Sequence, residues 1–104
     1  MALRLQCITV DAQDPLALAQ FWAEALGWKI GEDINEIEVW IERELGDPQN
    51  TGFPDILFLK NSDMKLGKNR LHLDLRPDDQ AAEVARLEKL GAKQIDIGQS
   101  AEPT

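Results

Sequence analysis

Tyrosine is missing from this 104-residue sequence, and cysteine and histidine occur once each, as Cys7 and His72. A single cysteine excludes an intrachain disulfide and any zinc site built from several thiolates. Basic residues are scarce: 11 Lys and Arg stand against 19 Asp and Glu, a formal net charge of −8. Nucleic-acid binding needs a basic footprint, and anionic lipid attracts polybasic segments, so neither partner is expected. Acidity of this kind keeps a protein soluble. No apolar run approaches the ~20 residues that span a bilayer. The first 14 residues carry Arg4 and Asp11 and lack the apolar centre of a secretory leader. The cytoplasm is therefore the expected compartment.

What is present reads as one domain over 1–104, with a first module at 1–62 and a partial second at 65–104. Residues 3–10 (LRLQCITV) read as a strand bounded by a polar turn at Asp11–Asp14, with Leu5, Cys7 and Thr9 on one face and Gln6, Ile8 and Val10 on the other. Asp14 is a good N-cap, and Pro15 suits the first helical position, where its missing N–H costs nothing. Leu18, Phe21, Trp22, Ala25 and Leu26 then follow at helical spacing until Gly27, a left-handed C-cap. Residues 28–34 read as a short strand. In 35–45 (NEIEVWIEREL), Ile37, Val39 and Ile41 alternate with Glu36, Glu38, Trp40 and Glu42, as in a half-exposed antiparallel strand, with a charged helix as the alternative. Residues 46–54 form a turn-rich loop, 55–60 (DILFLK) a short apolar strand and 61–68 a loop.

The stretch 65–79 (KLGKNRLHLDLRPDD) carries the histidine. Its leucines, Leu71, Leu73 and Leu75, alternate with His72, Asp74 and Arg76, which predicts a strand with one apolar and one His-Asp-Arg face. Asp74 would lie about 7 Å along the strand from His72 and could orient the imidazole. Asp78 or Asp79 caps a second helix over 80–90, with Ala81, Val84, Ala85 and Leu87 inward and Gly91 at its end. Residues 92–98 read as a further strand. Lys65, Lys68 and Arg70 read as a solvated loop, with no glycine-rich strand-to-helix turn to make a phosphate site.

These passages repeat. CITVDAQD (Cys7–Asp14) parallels HLDLRPDD (His72–Asp79), and EALGWK (Glu24–Lys29) parallels EKLGAK (Glu88–Lys93). Cys7 and His72 are 65 residues apart, and Gly27 and Gly91 are 64 apart. Agreement of element order and spacing points to a duplicated β-α-β-β-β unit, of which the second copy reads only β-α-β.

A βαβββ unit used twice, with D-P-x-x-L-A-x-F-W-x-x-A-L-G-W at Asp14–Trp28 and G-K-N-R-L-H-L-D-L-R-P-D-D at Gly67–Asp79, resembles the vicinal oxygen chelate superfamily. This group holds glyoxalase I, bleomycin-resistance proteins and extradiol dioxygenases, and the second motif resembles its small glyoxalase-like branch. The resemblance implies an α+β fold in which paired βαβββ modules form a curved mixed sheet around a cavity. It also implies a chain that continues with further strands, and a homodimer; an open sheet edge invites such pairing. Metal-dependent members place one ligand on each of four strands. Carried over, the first falls on Cys7, or on Gln6 if the register shifts by one. The second falls on Phe58, the third on His72, and the last lies past Thr104.

A phenyl ring cannot ligate, and Cys7 with His72 is too few donors for a metal centre. The expectation is therefore a small-ligand-binding protein without cofactor, its pocket formed by Cys7, Thr9, Trp40, Phe58, His72, Asp74 and Arg76. His72 is the one candidate metal ligand; otherwise it is a hydrogen-bonded cavity residue or a general acid–base. Arg76 would receive an anion. Trp40 interrupts the polar face of its strand and could stack on a planar ligand or meet a partner subunit. Cys7 reads as a small buried hydrophobe. Two alternatives stand beside this one. The first is a lyase or dioxygenase that uses a divalent metal, and the second is an interaction module with no small ligand.

Overall fold

The computed structural model describes residues 3, 5–43, 53–62 and 71–94. The chain divides into two units, Met1–Leu73 and Asp74–Thr104. The first holds β1 (Cys7–Ala12), α1 (Pro15–Leu26), β2 (Lys29–Ile30), β3 (Glu38–Glu42) and β4 (Asp55–Lys60). This is the β-α-β-β-β order of one module. The second holds α2 (Gln80–Lys89).

The strands form one mixed sheet in the order β1-β4-β3-β2. β1 runs parallel to β4, while β2, β3 and β4 form an antiparallel meander. α1 therefore carries the chain from one edge of the sheet to the other, and β3 and β4 return it to β1. Asp14 Oδ1 accepts from the Ala17 N–H at 3.1 Å, and Gly27 ends the helix at φ 71°. Only a residue without Cβ takes that conformation at no cost.

α1 packs on one face of the sheet. The centre of its buried stripe is Ala19 and Ala23, against Val39, Ile41, Ile56 and Phe58. Leu18, Trp22 and Leu26, named from the periodicity, flank this centre and are only partly buried. Two alanines there let the helix axis approach the strands closely, and the larger side chains fill the margins.

Several boundaries differ from those expected. The first strand is Cys7–Ala12, not 3–10: its ladder is set by the six residues of β4, which pair through Ala12 with Lys60. Leu3 and Leu5 are exposed. The strand expected over 28–34 is reduced to Lys29–Ile30. The strand expected at 71–76 joins no ladder among the described residues, and Leu71, Leu73 and Leu75 are 62%, 40% and 48% exposed. Alternation makes a segment able to be a strand, but a strand exists only where a neighbour supplies the N–H and C=O partners. Of the strand expected at 92–98, residues 92–94 are not in a ladder and 95–98 lie outside the described residues. The loops at 46–52 and 63–68, with Lys65 and Lys68, also lie outside them, as does Arg70.

α2 begins where expected. Asp79 Oδ1 accepts from the Ala82 N–H at 3.1 Å, and Gly91, at φ 114°, follows Leu90 at the end. Its expected inward face is not buried: Ala81, Val84 and Ala85 are exposed and Leu87 is half-buried. Among the described residues no helix is long and apolar enough to cross a membrane.

Candidate functional site

The ladder register fixes which side chains share a face. β1 pairs with β4 as Cys7 with Asp55, Thr9 with Leu57, Val10 with Phe58 and Asp11 with Leu59. β4 pairs with β3 as Leu59 with Glu38, Phe58 with Val39 and Leu57 with Trp40. Side chains alternate along each strand, and register partners point the same way. The face under α1 therefore carries Val10, Phe58, Val39, Ile56 and Ile41. The opposite face carries Cys7, Thr9 and Asp11 on β1, Asp55, Leu57 and Leu59 on β4, and Glu38, Trp40 and Glu42 on β3.

On that second face the residues fall into three rows across the strands. Thr9, Leu57 and Trp40 form the middle row, with neighbours about 5 Å apart. Cys7 and Asp55 lie on one side, with Glu42 next in register, and Asp11, Leu59 and Glu38 lie on the other. Successive rows are separated by about 7 Å, two residues along a strand. Trp40, Leu57, Leu59, Cys7, Asp55 and Glu42 are half-buried, while Thr9, Asp11 and Glu38 are exposed. The row ends just past β2, where Gly31 sits beside Trp40 and donates its N–H to the Trp40 carbonyl at 2.8 Å.

Three of the pocket residues expected from the sequence are thus brought together: Cys7, Thr9 and Trp40. Phe58 is not with them. It is 1% exposed, on the α1 face, inside the cluster with Ala19, Ala23 and Val39. The reason is the one-residue alternation of β4, which gives the site face to Leu57 and Leu59. His72, in the first unit, is exposed, as are Asp74 and Arg76 in the second. Gln6 is exposed and precedes β1. Sequence reasoning missed Asp55, Leu57 and Leu59, because DILFLK is apolar on both faces. It also missed Asp11, read as part of a turn although it lies within β1.

Local bonds organise the rim. Cys7 Sγ lies 3.9 Å from Thr9 Oγ1. Asn61 donates from Nδ2 to Asp11 Oδ2 at 3.2 Å, and its backbone N–H donates to the Ala12 carbonyl at 2.9 Å. Asn35 Oδ1 accepts from the N–H groups of Ile37 and Glu38 at 2.8 and 2.9 Å. This side-chain turn sets the entry of β3 and hence the position of Glu38.

The four-strand metal centre implied by the resemblance does not match these donors. The β4 residues beside Thr9 and Asp11 are leucines, and the phenyl ring of Phe58 is in the core. Among the described residues no three His, Cys, Asp or Glu side chains converge as ligands.

A concavity of about 610 Å³ lies at the start of α1 and is lined by Gln13, Asp14, Leu16, Ile34, Val39 and Lys60, among others. None of the expected pocket residues lines it. The helix start is no anion site there, since Asp14 caps Ala17 and Pro15 has no N–H.

Comparison with known proteins agrees with the fold. A family model described as "Glyoxalase-like domain" matches residues 7–104. No curated protein matches the chain. Among solved structures, the chain is similar to "Oxidase ChaP-H2", with a TM-score of 0.57 and 21% identity over 88% of this chain and 65% of that one. It is also similar to a hypothetical protein from S. aureus, with a TM-score of 0.56 and 20% identity over 88% of this chain and 72% of that one. The chain thus spans less than two thirds of the ChaP-H2 oxidase chain.

Proposed function

The chain belongs to the glyoxalase-like domain family of the vicinal oxygen chelate superfamily, and from that premise we propose that it binds a small planar ligand on the sheet face opposite α1, without a metal. The observation that carries this reading is the middle row of that face, Thr9, Leu57 and Trp40. A half-buried indole beside a half-buried leucine, with a hydroxyl at the end of the row, offers an apolar platform with one polar anchor. The donor chemistry supports the absence of a metal role, because β4 brings leucines where a ligand would be needed.

The test pairs two measurements on the purified chain. Divalent metal is assayed after purification without chelator, beside a His72→Ala variant. A panel of small planar compounds is titrated by thermal shift and tryptophan fluorescence, beside a Trp40→Ala variant. The reading expects no stoichiometric metal, and at least one compound that binds the parent and loses about tenfold or more in affinity in the variant, the loss typical of a stacked aromatic. A divalent ion held near one per chain and lost in His72→Ala would overturn the metal-free reading in favour of a metal-dependent lyase or dioxygenase. Binding indifferent to Trp40 would remove the platform.

A further inference from the structure

The concavity at the start of α1 lies on the face of the sheet that the helix covers, away from the Trp40 platform. Val39, a core residue of β3, is part of its lining. Pro15 and Leu16 contribute from the start of α1, and Ile34 and Asn35 from the loop before β3. Lys60 lies two residues past Phe58 on β4, about 7 Å along the same face. Hydrogen bonds hold these parts in place without a ligand. Asp14 Oδ1 accepts from the Ala17 N–H at the helix start. Asn35 Oδ1 accepts from the N–H groups of Ile37 and Glu38, and the Asn35 N–H donates to the Glu38 carbonyl at 3.0 Å. The Lys60 N–H donates to the Ile37 carbonyl at 2.7 Å, which ties the loop to β4. The concavity is thus pre-formed, and its volume of about 610 Å³ is in the range of small-molecule sites.

The chemistry of the lining selects a ligand. Its apolar members, Pro15, Leu16, Ile34 and Val39, are all aliphatic, and no aromatic ring is among the lining residues. Leu16 and Ile34 are 42% and 37% exposed, so an apolar chain laid on them would remove wetted surface from water. An alkyl chain suits such walls better than a stacked ring. Lys60 is the one cation in the lining, and among the described residues no ion pair engages it. The Asp14 carboxylate is already bonded to the helix start, and Glu36 is exposed, where water screens its charge. Asn35 has its amide oxygen taken by two N–H groups, which leaves its amide NH2 as the group it can offer a ligand. An ammonium and an amide NH2 are both donors, and a carboxylate is the head group that accepts from both.

We propose that this concavity is a second binding site, for a medium-chain aliphatic carboxylate. The chain lies along Leu16, Ile34 and Val39, and the carboxylate meets Lys60. The site is separate from the Trp40 platform and does not depend on it.

The experiment uses three probes with one chain and different heads: octanoate, 1-octanol and octylammonium. Each is titrated by calorimetry into the full chain and into Lys60→Gln, Lys60→Arg, Leu16→Gln and Trp40→Ala. The net charge of −8 favours octylammonium over the molecule as a whole, so a preference for octanoate requires a local cation. The expected result is that octanoate binds most tightly and that Lys60→Gln loses about tenfold for octanoate and nothing for octanol. Lys60→Arg should keep most of the affinity, Leu16→Gln should weaken octanoate and octanol alike, and Trp40→Ala should change neither. Preference for octylammonium, no binding of octanoate, or octanoate binding indifferent to Lys60→Gln would overturn the proposal. Loss of octanoate binding in Trp40→Ala but not in Leu16→Gln would overturn it too, by moving the chain to the opposite face. Failure of the planar panel at Trp40, with these octanoate results intact, would remove the platform and leave this site standing. Lys60 and Leu16 are exposed, so their variants should fold, and circular dichroism of each checks it.

Discussion

The indole of Trp40 fills the space that a side chain on Gly31 would need: a Cβ placed on Gly31 would stand 2.7 Å from Trp40 Cδ1 and 3.1 Å from Nε1. Glu42 Oε1 lies 3.1 Å from the same point. Glycine is thus required here by close approach, since its backbone is not in the left-handed region. The pair fixes the far end of the platform row, because the ring rests on bare backbone and cannot sink further toward β2.

Gly31→Ala should therefore force the indole outward or push β2 from β3. Overpacking of this kind costs about 1–3 kcal/mol. Urea denaturation followed by tryptophan emission checks it: the midpoint should fall, and the native emission should move to longer wavelength as Trp40 becomes wetter. An unchanged midpoint with unchanged emission would mean that the ring is free to swing and is no fixed platform.

The two helix caps should behave alike. Asp14 and Asp79 each accept from the N–H three residues on, at 3.1 Å in both cases. Replacing either by Ala should cost about 1 kcal/mol, while replacement by Asn, an equally good cap, should be nearly neutral. For Asp14 the loss should appear in the global unfolding midpoint, because α1 covers the core of the sheet. For Asp79 the direct readout is hydrogen exchange of the α2 amides, Glu83 to Lys89, which should quicken in Asp79→Ala and not in Asp79→Asn.

The correspondence of these caps was legible in the sequence, and so was most of the first unit. Asp14, Pro15 and Gly27 each have a steric or hydrogen-bonding reason to sit at a helix end, so α1 could be bounded from residues alone. The alternation of Val39, Trp40 and Ile41 likewise gave both faces of β3. Two things were not legible. The length of β1 is set by its partner β4, which a local pattern does not contain, so Asp11 read as a turn although it pairs with Leu59. The face of Phe58 was hidden for a different reason: in DILFLK every interior residue is apolar, and period-two alternation carries no information when both faces look alike. The leucines of 71–75 show the converse case, a clear alternation without a ladder among the described residues.

The buried site of Ala19 should be intolerant of size. Ala19 is 0% exposed, where α1 lies against Val39 and Ile41. Ala19→Leu should lift the helix from the sheet and cost about 1–3 kcal/mol or more. Ala17→Leu, at an exposed position two residues earlier, should change stability by no more than about 0.5 kcal/mol. Equal effects at the two positions would show that the stripe centred on Ala19 and Ala23 is not what docks the helix.

The register of β4 decides the reading of the whole face, and adjacent substitutions can test it. Phe58 is 1% exposed among Ala19, Ala23 and Val39, so Phe58→Ala should cost about 3–5 kcal/mol, the sum of lost transfer energy and a cavity. Leu57 is only half-buried on the other face, and Leu57→Ala should cost clearly less. Glutamate separates the two positions more sharply. Phe58→Glu would place a carboxylate in an apolar cluster without a partner, a cost large enough to unfold a domain of ordinary stability. Leu57→Glu would place the same group on the site face between Thr9 and Trp40, where water reaches it, and the chain should remain folded. That variant would also add a fifth carboxylate in the middle of the platform and should abolish stacking of a neutral aromatic. Circular dichroism and urea midpoints of the four variants suffice. If Leu57→Glu unfolds the chain and Phe58→Glu does not, the faces of the sheet are exchanged and the sequence-based placement of Phe58 in the pocket was right after all.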